Sequence, residues 1–244
     1  MSIRGRIMAA ATVITLAGGV SAAGTLTAQA ATPSCYEHCT ELYTQKFSDL
    51  FILDALLQKV KAGQPIVLYR ASNSDAAEDF TVFESARVSH FASTGLVSSA
   101  VAARYGGGCS RVSSMTHKCV SHYANDWAYK IEYAPDGVTS GLCIGVAKAP
   151  ADGTKVVLES CGDPTKTTWV ADANAALGNT AVPLVNGSDT SVSDPYVLNF
   201  PGSATPFQMP TPQLTTWKLQ RYSNGKVYNN QLWSADFGPV GEGY

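Results

Sequence analysis

The sequence predicts an all-β domain of three pseudo-repeats behind an N-terminal amphipathic helix. Three observations carry this. Beyond Pro65 the chain breaks into short runs rich in Val, Tyr, Thr, Phe and Ile, separated by Gly, Pro, Asp, Asn and Ser. That is the pattern of a sandwich or a closed barrel. A tripeptide also recurs: Thr167-Thr168-Trp169 and Thr215-Thr216-Trp217 are two copies, and Glu78-Asp79-Phe80 is a divergent third. Their spacings are 89 and 48 residues, which places an insertion in the first interval, at about residues 104–125. Three units around a pseudo-threefold axis make a β-trefoil. It is expected over residues 64–238, with Phe80, Trp169 and Trp217 at its hub and 239–244 as a flexible tail.

The elements follow in chain order. Arg4 and Arg6 precede a small, apolar stretch, and Ala28-Gln29-Ala30 matches a cleavage pattern. Residues 1–30 therefore read as a secretory signal peptide, which makes a secreted, extracellular protein with no membrane span after cleavage the expectation. Export changes how the cysteines read. All six follow the signal, and an even count in an oxidising compartment points to disulfides. Proximity pairs Cys143 with Cys161 and Cys109 with Cys119. Cys35 and Cys39 are left for each other or for a partner chain.

Residues 31–63 form the predicted helical arm. Tyr43, Phe47, Leu50, Leu53, Leu57 and Val60 recur at steps of three and four, and Gly63 and Pro65 close the segment. Residues 50–57 are apolar almost all round, so this helix must be buried, against its own domain or against another protein. Phe47, Leu50, Phe51, Leu53 and Leu57 are the docking candidates. Strands are expected at 66–70, 80–83, 127–133, 142–147, 155–160, 169–171, 182–185, 196–200, 217–221 and 226–233. Residues 96–105 fit helix or strand equally well.

Composition excludes several classes. Charged residues are 15% and hydrophobic ones 45%, which rules out a disordered charged tail. The net charge is −2 and no basic run occurs, so no nucleic-acid partner is expected. Neither G-x-S-x-G nor H-E-x-x-H is present, and no enzyme activity is expected. His117, Cys119, His122 and Cys109 have zinc-ligand character, but an oxidising compartment favours the disulfide, so no metal and no cofactor are expected. Asp75, Glu78, Asp79 and Glu84 read as a turn with solvated charges. Asn186-Gly187-Ser188 matches a glycosylation acceptor.

One segment resembles a known family. Gly141-Leu142-Cys143-Ile144-Gly145-Val146, then Ala151-Asp152-Gly153-Thr154 running to Cys161, then Thr167-Thr168-Trp169, resembles the ricin B-type lectin repeat, G-x-C-L-D-V, D-G-T, C and Q-x-W. Secreted actinobacterial proteins with a ricin-like trefoil are also similar, through the Ala-rich signal and Tyr133-Ala134-Pro135-Asp136-Gly137. The resemblance implies that the tryptophans fill the hub, that the Asp-Gly turn joins two strands and that the cysteine pair fixes one hairpin to the next. It further implies a carboxylate two residues after the first cysteine that bonds sugar hydroxyls beside a stacking aromatic ring. Here that position is Gly145, and its counterpart in the later repeat is Asn199, with no clear counterpart in the first unit. The implied pocket is the one around Asn199, with Phe200, Phe207 or Tyr222 as the ring.

The resulting expectation is a secreted, non-catalytic module that binds carbohydrate or a cell-surface glycan. The alternative is an adaptor or structural subunit of an exported multi-protein toxin assembly that docks a protein partner through its N-terminal arm. A protease inhibitor using Arg104, Arg111 or Lys118 ranks third.

Overall fold

The computed structural model describes residues 41–47, 51–72, 75–107, 126–176, 181–191, 193–202 and 212–236. Twelve strands lie among them, four to a repeat. The first repeat holds β1 (Glu41–Thr44), β2 (Phe51–Ala55), β3 (Ile66–Arg70) and β4 (Phe80–Arg87). The second holds β5 (Trp127–Tyr133), β6 (Leu142–Val146), β7 (Val156–Ser160) and β8 (Thr168–Ala171). The third holds β9 (Leu184–Asn186), β10 (Tyr196–Asn199), β11 (Thr215–Lys218) and β12 (Trp233–Asp236). Consecutive repeats join through the antiparallel pairs β4–β5 and β8–β9, and β1 closes on β12 with Thr44 opposite Trp233.

The middle strands of each repeat form hairpins, β2–β3, β6–β7 and β10–β11. Bridges at Pro65–Val157, Lys155–Thr215 and Val67–Gln213 then link the hairpins pairwise into a triangle. A triangle of hairpins beneath a ring of first and fourth strands is a β-trefoil.

Matching residues of the repeats meet in one core. Leu53, Ile144 and Leu198 occupy the third position of β2, β6 and β10, and all lie in the main apolar cluster with Phe80, Trp169 and Trp233. The Trp169 Nε1–H donates to the Ile144 carbonyl at 2.9 Å, and the Trp233 Nε1–H donates to the Leu198 carbonyl at 2.9 Å. A buried indole needs such a partner. Phe80 has no N–H to satisfy and instead packs on the Tyr133 ring, centroids 5.5 Å apart. The first and third repeats also share a side-chain acceptor ahead of the ring. Gln231 Oε1 accepts the Gln220 N–H at 2.7 Å, and Glu78 Oε2 accepts the Ser72 N–H at 2.8 Å, each acceptor two residues before its hub ring.

This corrects the expected hub. Its third ring is Trp233, not Trp217, which sits on β11 and is 36% exposed. The tripeptide ending in Trp217 copies the sequence around Trp169, but it lies on a hairpin strand. Gln231-Leu232-Trp233 is the fourth-strand copy.

The predicted helix is also corrected wherever its residues are described. Residues 41–44 and 51–55 are strands. All five side chains of β2 are buried, and a strand covered on both faces reads as a continuous apolar run, which periodicity cannot separate from a buried helix. Phe51 and Leu53 are therefore core residues, and Phe47 packs against the core. Leu57 is exposed at φ 62° and turns the chain toward β3. Leu50 lies outside the described residues. The trefoil thus takes in β1 and β2, ahead of the expected boundary at 64.

The insertion between β4 and β5 carries two short helices, α1 (Val88–Ser93) and α2 (Ser99–Tyr105). Ser98 caps α2, its Oγ accepting the Val101 N–H at 3.1 Å. Val88, Phe91, Val97, Val101 and Tyr105 form a second apolar cluster with Ala128, Val170, Val185 and Val197. The helices therefore cover outer-face residues of β5, β8, β9 and β10. The Tyr105 hydroxyl donates to Asp172 Oδ2 at 3.1 Å. Asp126, 7% exposed, has an Oδ2 without a partner among the described residues. Burial pushes its carboxyl up to about 7; the Asp172 charge adds to this and Arg87 opposes it.

The expected signal peptide, Cys35, Cys39, Cys109, Cys119, His117, His122, Arg111, Lys118 and the tail at 239–244 all lie outside the described residues. Among the described residues no helix is long and apolar enough to cross a membrane.

Candidate functional site

The trefoil places one residue per repeat at the implied carboxylate position: Asp54 on β2, Gly145 on β6 and Asn199 on β10. Their surroundings differ.

At Gly145 there is no room. A Cβ there would meet Thr167 Cγ2 at 3.0 Å and Glu159 Cβ at 3.2 Å. Thr167 replaces the glutamine of the motif and turns inward, its hydroxyl donating to the Asp163 carbonyl at 2.5 Å. Beside it the Cys143–Cys161 disulfide joins β6 to the end of β7, with Cα atoms 4.9 Å apart. It staples one hairpin internally and does not tie one hairpin to the next. The Asp-Gly turn does join β6 and β7, with Gly153 at φ 77°.

At Asn199 a cavity of about 570 Å³ opens. Its floor is a polar network. Asn230 Nδ2 donates to Asn199 Oδ1 at 2.9 Å and to the Phe200 carbonyl at 2.8 Å, and Asn199 Nδ2 donates to Thr215 Oγ1 at 3.3 Å. An amide can accept two bonds and donate two, so Asn199 keeps one of each for a ligand. The walls are aromatic. Trp217 projects from β11 over the Gly153 turn, and Tyr222 and Tyr228 face each other with centroids 4.3 Å apart. Lys46 supplies the rim's ammonium. It donates to the Gly202 carbonyl at 2.8 Å and lies 5.1 Å from the Phe200 ring centroid, and burial lowers its pKa.

Asn199 and Tyr222 thus share one cavity. Phe200 is fully buried in the core, edge-on to Phe47, and is no stacking ring. Phe207 lies outside the described residues. Sequence reasoning missed Trp217 as a cavity wall because it had assigned that ring to the hub.

At Asp54 the first repeat does have a counterpart. Ile52-Leu53-Asp54-Ala55 aligns with Cys143-Ile144-Gly145-Val146, a signal hidden by the helical assignment. The neighbouring acidic residues are not all solvated: Glu78 is only 4% exposed. Asn186 of the glycosylation match is buried as well, with Nδ2 donating to the Lys166 carbonyl at 3.0 Å, so its amide is not presented for modification.

No protein-family model matches this chain, and no curated protein matches it. Solved structures do show likeness. A designed threefold-symmetric protein, ThreeFoil, has a TM-score of 0.48 and 14% identity over 80% of this chain and 96% of its own. A mosquitocidal holotoxin has a TM-score of 0.48 and 12% identity over 82% of this chain and 17% of its own. A ricin B-like lectin of Macrolepiota procera, solved in complex with lactose, has a TM-score of 0.43 and 17% identity over 81% of this chain and 94% of its own.

Proposed function

We propose that this chain is a non-catalytic recognition module that binds carbohydrate in the third-repeat cavity. One observation carries the reading: a buried, hydrogen-bonded Asn199–Asn230 pair lies under the exposed rings of Trp217 and Tyr222. A sugar ring offers hydroxyls to such amides and a C–H face to such rings. The cavity's net chemistry is neutral apart from Lys46, which suits an uncharged or weakly acidic glycan. The start at Arg4 and Arg6, with the apolar stretch behind it, supports secretion and action outside the cell.

The test is a glycan array with the purified chain, followed by calorimetric titration of the strongest hit. Wild type is expected to bind, and Trp217→Ala and Asn199→Ala are each expected to weaken binding at least tenfold. An array without hits, or variants that bind like wild type, contradicts the proposal.

A further inference from the structure

The ammonium at the cavity rim comes from outside the repeat that builds the cavity. The 3-10 turn Gln45–Phe47 follows β1 in the first repeat, and it carries Lys46 to the rim of the third-repeat cavity. There the Lys46 Nζ is held by three groups. It donates to the Gly202 carbonyl at 2.8 Å, and it lies 5.2 Å from the Phe47 ring centroid and 5.1 Å from that of Phe200. Those two rings are edge-on to each other, with centroids 5.4 Å apart. A lysine on open surface spreads its charge over many rotamers. This one is half-buried and keeps its charge at one place on the rim.

Nothing described at the site balances that charge. The described residues that line the cavity include no Asp and no Glu, and Lys46 makes no ion pair with any described residue. The stretch 203–211, which follows Gly202, contains no acidic residue either. An ammonium has three N–H donors and Gly202 takes one, so two remain for a ligand. Burial lowers the Lys46 pKa, as for a cation partly stripped of its water. Such a cation gains most from an anion placed beside it. The amides of Asn199 and Asn230 on the floor serve hydroxyls, and a neutral sugar would leave the ammonium unused.

We propose that Lys46 determines the specificity of this cavity and selects an acidic sugar, a residue of the uronic acid type whose carboxylate pairs with the Lys46 ammonium. Asn199 then meets its hydroxyls and Trp217 its ring face. This rests on the carbohydrate reading and narrows it to one substrate class. The two unspent N–H groups match the two oxygens of a carboxylate. A sulfate ester brings a third oxygen, and the described lining holds no second cation to meet it. A lysine that served only to tie its turn to Gly202 would affect stability and leave the choice of sugar untouched.

The experiment is titration of the full chain with matched methyl glycosides, followed by its chemical shifts: glucuronide against glucoside and galacturonide against galactoside. Each pair differs only in a carboxylate in place of a hydroxymethyl group, and the sulfated form of each neutral parent is a third arm. At least one acidic glycoside is expected to bind about tenfold tighter than its parent, and added sodium chloride is expected to shrink that preference. Lys46→Met, which keeps the length of the side chain, is expected to bring acid and parent to equal affinity, and Lys46→Arg is expected to keep the preference. Neutral parents that bind as tightly as the acids overturn this inference and leave the carbohydrate reading standing. Glycosides of both kinds that fail to bind, together with a glycan array without hits, overturn the carbohydrate reading and this inference with it. A preference that survives in Lys46→Met overturns the role of Lys46, and a sulfated parent that binds tighter than the acid overturns the choice of carboxylate.

Discussion

The second and third repeats share a skeleton and differ at the rim. Both bury a tryptophan whose indole N–H donates to the carbonyl of the third residue of the repeat's second strand, at 2.9 Å in each. One residue further on they part. Gly145 leaves a space that Thr167 and Glu159 fill, whereas Asn199 carries an amide that Asn230 and Thr215 hold at the floor of a cavity. The hub requires threefold agreement because its rings share one buried apolar cluster. The rim has no such constraint, so each repeat can present a different surface on the same strands.

The largest effect that sharpens this comparison is at the hub. Trp233→Ala and Trp169→Ala are each expected to lose about 3–5 kcal/mol of stability by denaturant unfolding, since each removes a buried ring. Trp217→Ala is expected to lose far less. Equal losses for Trp217 and Trp233 would break the assignment of the third repeat.

The next effect is a pH dependence in the helical cover over β5, β8, β9 and β10. The Asp126 carboxyl is raised from 3.8 to about 7 in the folded state, so between those values the folded chain binds more protons than the unfolded one. Its contribution to stability is full below about pH 4 and is lost as pH rises through about 7, by up to a few kcal/mol. Asp172 and Arg87 are the charges that act on it, and the Tyr105 hydroxyl is bonded to Asp172. Asp126→Asn is expected to stabilise the protein at pH 8 and to leave it unchanged at pH 4. A variant no more stable than wild type at pH 8 would contradict this.

Adding a side chain to the closed rim should cost less but reveal more. Gly145→Asp is expected to destabilise by about 1–3 kcal/mol, because its Cβ presses on Thr167 and Glu159. It is not expected to create a sugar site. Gain of glycan binding by this variant would show that the second-repeat rim opens readily. The smallest stability effect is expected for Tyr222→Ala: a change within about 0.5 kcal/mol, as for an exposed site, together with weaker glycan binding.

Much of this fold was legible in the sequence. The short strands, the repeat around Cys143 and the hub residues Phe80 and Trp169 follow from alternation, turn residues and motif spacing. Two features were not legible, each for a physical reason. β2 is buried on both faces, so Phe51-Ile52-Leu53 carries no period-two signal, and the segment read as a helix. The third hub ring was displaced because Thr215-Thr216-Trp217 copies the local sequence of Thr167-Thr168-Trp169 more closely than Gln231-Leu232-Trp233 does. A tripeptide says nothing about which face of which strand it will occupy. Both errors hid parts of the rim: the first concealed Asp54, and the second concealed Trp217. Asn199 was legible because it sits in Val197-Leu198-Asn199-Phe200, where alternation and the repeat pattern agree.

The most direct measurement is amide and indole chemical-shift mapping of the isotopically labelled chain during titration with the strongest array hit. Saturable shifts are expected to concentrate at Asn199, Trp217, Tyr222 and Asn230, with the Trp169 and Trp233 indoles unmoved. Shifts centred on Gly145 and Thr167, or none in the third repeat, would contradict it.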